Sequence, residues 1–80
     1  MQQSISAFPN PFNLKLIIYA EEGSSIVTLF DEVGKVVFKK EIHSSDPVIH
    51  PEVCDGIYFL KIENKNLVKT IMVLKSNLID

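Results

Sequence analysis

Apolar residues in this chain come in short alternating runs, and turn formers end each run before it can make a helical stripe. Val, Ile, Phe and Tyr dominate these runs, whereas Ala occurs only at Ala7 and Ala20. Side chains of that kind fit a pleated, half-buried surface. No segment carries apolar residues at sustained three-to-four spacing. The punctuation is specific. Pro9-Asn10-Pro11 stops a first segment, Ile5 to Phe8, because proline lacks a ladder donor and pushes the preceding residue to extended geometry. Leu14 to Tyr19 is a second strand, with Leu14, Leu16 and Ile18 expected on one face. After the turn Glu21-Glu22-Gly23-Ser24, Ser25 to Asp31 is a third, with Val27 and Leu29 alternating against Ile26, Thr28 and Phe30.

Asp31-Glu32-Val33-Gly34 reads as a hairpin loop to a fourth strand, Lys35 to Ile42, with Gly34 free to take a positive φ. Pro47 and Pro51 bracket Val48-Ile49, a piece that proline confines to a sheet edge. Gly56 opens Ile57 to Glu63, where Tyr58, Leu60 and Ile62 share a face. Asn64-Lys65-Asn66 is a polar turn, Leu67 to Leu74 the last strand, and Lys75 to Asp80 a tail expected to fray. About seven short antiparallel strands, with turn signals every 8–12 residues, predict an all-β sandwich.

Size and charge restrict the function. Eighty residues allow one domain, here 1–80 with a core of about 5–75, and only a small core. Eight lysines, no arginine and ten acids give a net charge of −2, which argues against a nucleic-acid binder. No apolar run reaches the length of a membrane span. Met1-Gln2-Gln3-Ser4 lacks a basic flank and apolar core, so no signal peptide is expected. A lone Cys54 excludes an internal disulfide, and it is expected to be a small buried hydrophobe.

Catalytic and metal chemistry find little support. His43, Ser44, Ser45 and Asp46 are triad residue types, but neighbours on one loop rarely align as nucleophile, base and orienting acid. His50 and Cys54, with His43 and Asp46, have ligand chemistry but lack the paired spacing of a zinc site. Neither an enzyme nor a metal or other cofactor is expected. Tyr19, Phe30, Phe38, Tyr58 and Phe59 are expected to be core or half-core residues rather than a sugar-stacking platform. Lysines at 35, 39, 40, 61, 65, 69 and 75 alternate with apolar residues and are expected on outward faces.

Three collinear motifs remain. They are Phe8-Pro9-Asn10-Pro11-Phe12-Asn13, then Leu29-Phe30-Asp31-Glu32-Val33-Gly34-Lys35-Val36, then Asp55-Gly56-Ile57-Tyr58-Phe59-Leu60-Lys61-Ile62 with Lys69 and Ile71-Met72-Val73-Leu74-Lys75 downstream. Together they resemble the type A C-terminal sorting domain of the type IX secretion system of Bacteroidetes, over about Ile5 to Lys75. The resemblance implies a small Ig-like β-sandwich that is an address and not a catalyst. It implies a cargo domain upstream in the same chain, passage through the periplasm, recognition by the outer-membrane translocon, and removal by a sortase-like peptidase at the cell surface. The cargo is often attached there to lipopolysaccharide. Pro9, Asn10, Pro11, Gly34, Gly56, Tyr58, Lys69 and Lys75 match the motif positions, and recognition is expected mostly in the last two strands and tail. Locally, Asn10 is expected to bond neighbouring backbone groups, Gly56 to take a positive φ, and Tyr58 to bury its ring with its hydroxyl paired. The alternative is an Ig-like binding or adhesion module.

Overall fold

The computed structural model describes residues 5–20, 23–65 and 67–77. The expectations for Met1 to Ser4, for Glu21 and Glu22, for Asn66 and for the tail beyond Asn77 lie outside these residues. Seven strands are present: β1 (Ser6–Phe8), β2 (Leu16–Tyr19), β3 (Ser24–Phe30), β4 (Val36–His43), β5 (Val48–Ile49), β6 (Gly56–Glu63) and β7 (Val68–Lys75). They form a three-stranded sheet, β1-β2-β5, against a four-stranded sheet, β4-β3-β6-β7, with every strand pair antiparallel. This is the all-β sandwich that the alternation predicts.

Period-2 patterning sets the register. In the four-stranded sheet, Val27 pairs with Ile62, Leu29 with Leu60, and Tyr58 with Val73, all turned inward and buried. Leu16, Ile18 and Ile49 meet them from the smaller sheet, with Ile5 leading into β1. The β5 piece lies at the sheet edge, as its flanking prolines require. The β3–β4 hairpin closes as its sequence directs. Asp31 Oδ1 accepts from the Val33 and Lys35 amides at 3.0 and 2.9 Å, and Gly34 takes φ +87°. A register shift beside the hairpin, between Leu29 and Phe30, leaves Val37 as the extra residue on β4.

Several burial expectations are corrected. Leu14 does not join Leu16 and Ile18; it precedes β2 and is 74% exposed. Cys54 is exposed, because it lies in the irregular approach to β6 rather than on an inward strand position. Tyr19 and Phe59 are also exposed, since both sit on outward positions of their strands. Tyr19 packs only edge-on against Phe8, ring centroids 6.0 Å apart. Lys40, Lys69 and Lys75 have inward parity, alongside Ile42 on β4 and Ile71 and Val73 on β7. Lys40 and Lys69 remain exposed because the smaller sheet does not cover the ends of the larger one, while Lys75 is buried. Nor does the tail fray from its start: the Ser76 amide donates to Phe12 O at 2.9 Å and the Asn77 amide to Asp55 Oδ2 at 3.3 Å.

The largest fully buried side chain is Phe12, which lies on no strand and follows two prolines. Deleting a buried aromatic leaves a cavity that the core cannot fill. Phe12→Ala is expected to lower stability by about 3–5 kcal/mol in urea melts, with a loss below about 1 kcal/mol showing that the ring is peripheral.

Candidate functional site

The segment from Ile5 to Asn13 tracks β7 along its length, and here the motif residues converge. Strand β7 is an edge strand, so half of its backbone groups face away from β6. Asn10 takes two of them: its Nδ2 donates to Met72 O and its Oδ1 accepts from the Leu74 amide, each at 3.0 Å. One side-chain amide thus presents the donor and acceptor that a neighbouring strand would offer. The next groups pair with backbone. The Phe12 amide donates to Leu74 O at 2.8 Å and Phe12 O accepts from the Ser76 amide, forming a short parallel bridge.

Asn10 was expected to bond its own neighbours. The flanking prolines explain why it does not: Pro11 has no amide hydrogen, and the Phe12 amide is committed to Leu74. Both Phe8-Pro9 and Asn10-Pro11 are cis peptides. With the Pro11 and Phe12 amides unavailable, the Asn10 side chain bonds across to β7. A polar residue between two residues without N–H groups is the sequence signal for this, and it is legible only in hindsight.

Two lysines fix the ends of the same contact. Lys69 stands opposite Ile62 on the inner face at the sandwich rim, and its Nζ donates to Ile5 O at 2.9 Å. It was expected to point outward; its inward parity instead sends it across to the other sheet. Lys75 is 8% exposed, and its Nζ lies 3.3 Å from both Asn13 Oδ1 and Asp55 Oδ1. A buried ammonium is tolerable only when paired in this way, and the aliphatic stem covers core while the head reaches polar partners. One lysine so joins the end of β7, the start of β6 and the N-terminal segment.

Gly56 and Tyr58 shape the start of β6. Gly56 takes φ +153°, a conformation that disfavours side chains, as its place before the strand predicts. The chain then brings the Tyr58 hydroxyl back to donate to Cys54 O at 2.6 Å while the ring stays in the core. Burial raises the Tyr58 pKa first of all, and negative charge on Cys54, Asp31, Asp55 and Glu32 raises it further. Gly34 serves the β3–β4 hairpin, whose Asp31 and Glu32 are near enough to act on Tyr58. Of the eight motif residues, Asn10, Lys69 and Lys75 bond directly to partners along or across β7. Pro9 and Pro11 position Asn10, and Gly56 and Tyr58 set the adjoining strand.

The other sequence candidates do not assemble into chemistry. The His43 Nδ1 lies 3.0 Å from Ser45 Oγ and also accepts the Ser45 amide at 3.2 Å, so the contact is a local turn. Among the described residues no carboxylate bonds that ring. His50 and Cys54 line a shallow groove with Leu14, Pro51, Glu52 and Val53. Among the described residues no three His, Cys, Asp or Glu side chains come together to hold a metal ion. Among the described residues no helix is long and apolar enough to cross a membrane.

The family described as the secretion system C-terminal sorting domain matches residues 6–75, from the first residue of β1 to the last of β7. No curated protein matches.

Two measurements probe this site. Asn10→Ala removes two bonds and exposes the β7 edge, so a loss of roughly 1–2 kcal/mol is expected, with faster hydrogen exchange at the Leu74 amide. Unchanged exchange would show that the side chain does not seal the edge. Tyr58 supplies a pH test. Its folded pKa lies above the unfolded value, so the unfolded chain releases its proton first as pH rises. Its contribution is complete below about pH 10 and is lost above it. Tyr58→Phe is expected to flatten the alkaline limb of stability against pH, whereas an unaltered limb assigns that loss to other groups.

Proposed function

The chain belongs to the family of type IX secretion C-terminal sorting domains, and from that membership we propose that it is a non-catalytic address that carries a cargo protein across the outer membrane. The match carries this reading because it spans all seven strands and not a single motif. A sorting domain implies a cargo handled by the type IX system and delivered to the cell surface or beyond. In the proposed route the cargo lies upstream in the same chain and the domain crosses the periplasm folded. The outer-membrane translocon then recognises it, and a sortase-like peptidase removes it.

The geometry supports an address held in one shape: the Asn10, Lys69 and Lys75 side chains are engaged in holding the last strand. Pro9, Asn10, Pro11, Gly56, Tyr58, Lys69 and Lys75 then serve recognition by fixing the shape of β6 and β7, with Gly34 setting the hairpin beside them. A rigid, edge-sealed surface suits a tag that must be read while folded.

Fusion of residues 1–80 to a periplasmic reporter in a type IX-competent host tests the proposal. The full fusion is expected at the surface or in the medium, shortened by removal of the tag, and the fusion lacking residues 67–80 is expected to stay inside. Retention of both forms would sink the reading.

A further inference from the structure

The smaller sheet covers one face of the larger sheet and leaves the outer face to solvent. Register sorts the outer residues into rows that cross the strands. Ile57 lies beside Leu74, and the next row runs Val36, Phe30, Phe59, Met72 from one edge to the other. Neither row carries a charge, and Met72 is 61% exposed. Beyond them come a lysine row, with Lys39 and Lys61 either side of Thr28, and a glutamate row, with Glu41 and Glu63 either side of Ile26. A contiguous apolar patch on a small domain marks an interaction surface.

Both signs of charge border this patch. On one side stands the lysine row, where Lys61 is 3.9 Å from Glu63 while Lys39 and Glu41 make no ion pair among the described residues. On the other side stand Glu32, exposed on the hairpin, and Asp55, which has the outward parity of Ile57. The Asp55 carboxylate stays 49% exposed although it holds Lys75. Lys35 is at the same end but has the opposite parity to Val36. A mixed rim of this kind selects neither an acidic nor a basic partner; it complements itself when turned end for end. A two-fold axis lying across the strands, between the two apolar rows, sets Leu74 over Met72 and Ile57 over Phe59 of a second copy. The same rotation carries the Lys39 and Lys61 row of each copy over Glu32 and Asp55 of the other. An axis along the strands instead sets lysine on lysine and glutamate on glutamate.

We propose that this face is the contact of a weak homodimer, two copies packed outer face on outer face with their strands antiparallel. Four strands about 4.8 Å apart and four rows about 6.7 Å apart cover roughly 500 Å² per copy. The total, about 1,000 Å², is the size of a weak, transient contact. Pairing takes the apolar rows out of water, as the smaller sheet does for the inner face. The proposal stands apart from the sorting reading and does not depend on it.

Sedimentation equilibrium of the 80-residue chain tests it. The parent is expected to pass from monomer to dimer between about 10 μM and 1 mM. Met72→Lys puts a charge into the middle of the patch and is expected to weaken the dimer by about tenfold or more, with the melting temperature held within a few degrees. Glu32→Lys and Lys39→Glu are each expected to dimerise more weakly than the parent, because the two-fold then sets like charges together twice. An equimolar mixture of the two is expected to recover the parent affinity, since both contacts become attractive. A parent that stays monomeric overturns the proposal, and so does a dimer that Met72→Lys leaves unchanged. A mixture no more dimeric than its components overturns the two-fold arrangement. Should Met72→Lys unfold, the Glu32 and Lys39 variants, at exposed positions with no ion pair among the described residues, decide alone.

Discussion

Strand β7 lies at the edge of the larger sheet, and an edge strand offers unpaired backbone groups to any passing chain. Nearly every unusual feature of this domain is arranged around that exposure. Ile5 to Asn13 runs beside β7, with Lys69 held to Ile5 at one end, Asn10 and Phe12 bonded to Met72, Leu74 and Ser76 in the middle, and Lys75 locked to Asn13 and Asp55 at the other. The buried Phe12 ring anchors the segment in the core, so sealing the edge and completing the core are one event. The opposite edge, β4, is protected differently, by exposed Lys39, Lys40 and Glu41 and by the irregularity near its hairpin.

The arrangement of the motif residues bears on how a sorting domain holds its last strands. Several of the motif side chains have internal partners. Asn10 replaces a strand, Tyr58 bonds Cys54 O, and Lys75 bridges three segments. Each ties one of the last two strands to a neighbouring segment. The outer face of those strands is built from Ile57, Phe59, Met72 and Leu74, which lie within the motif runs but are not among the eight matched positions.

The architecture was largely legible in the sequence. Prolines, glycines and Asp31 located the turns, and the alternation of Tyr58, Leu60 and Ile62 matched the buried face of β6. The candidate site was legible as a set of residues but not as an arrangement. The motif named Asn10, Lys69 and Lys75 without their partners, which lie more than sixty positions away for Asn10, Lys69 and the Lys75–Asn13 contact. Local pattern rules describe neighbours a few residues apart, and no such rule joins Asn10 to Met72 or Lys69 to Ile5.

By itself, then, the sequence determined the strands, the inward apolar residues of β3 and β6, the hairpin and the family, because side-chain periodicity and turn chemistry act between near neighbours. Only the tertiary structure decided that Phe12 is the most deeply placed aromatic, that Lys75 is buried and Lys69 turned inward, and that Cys54 and Leu14 face solvent. Burial at a sheet edge or sandwich rim depends on which distant segment crosses it, and here that is the N-terminal stretch closing against the last strand.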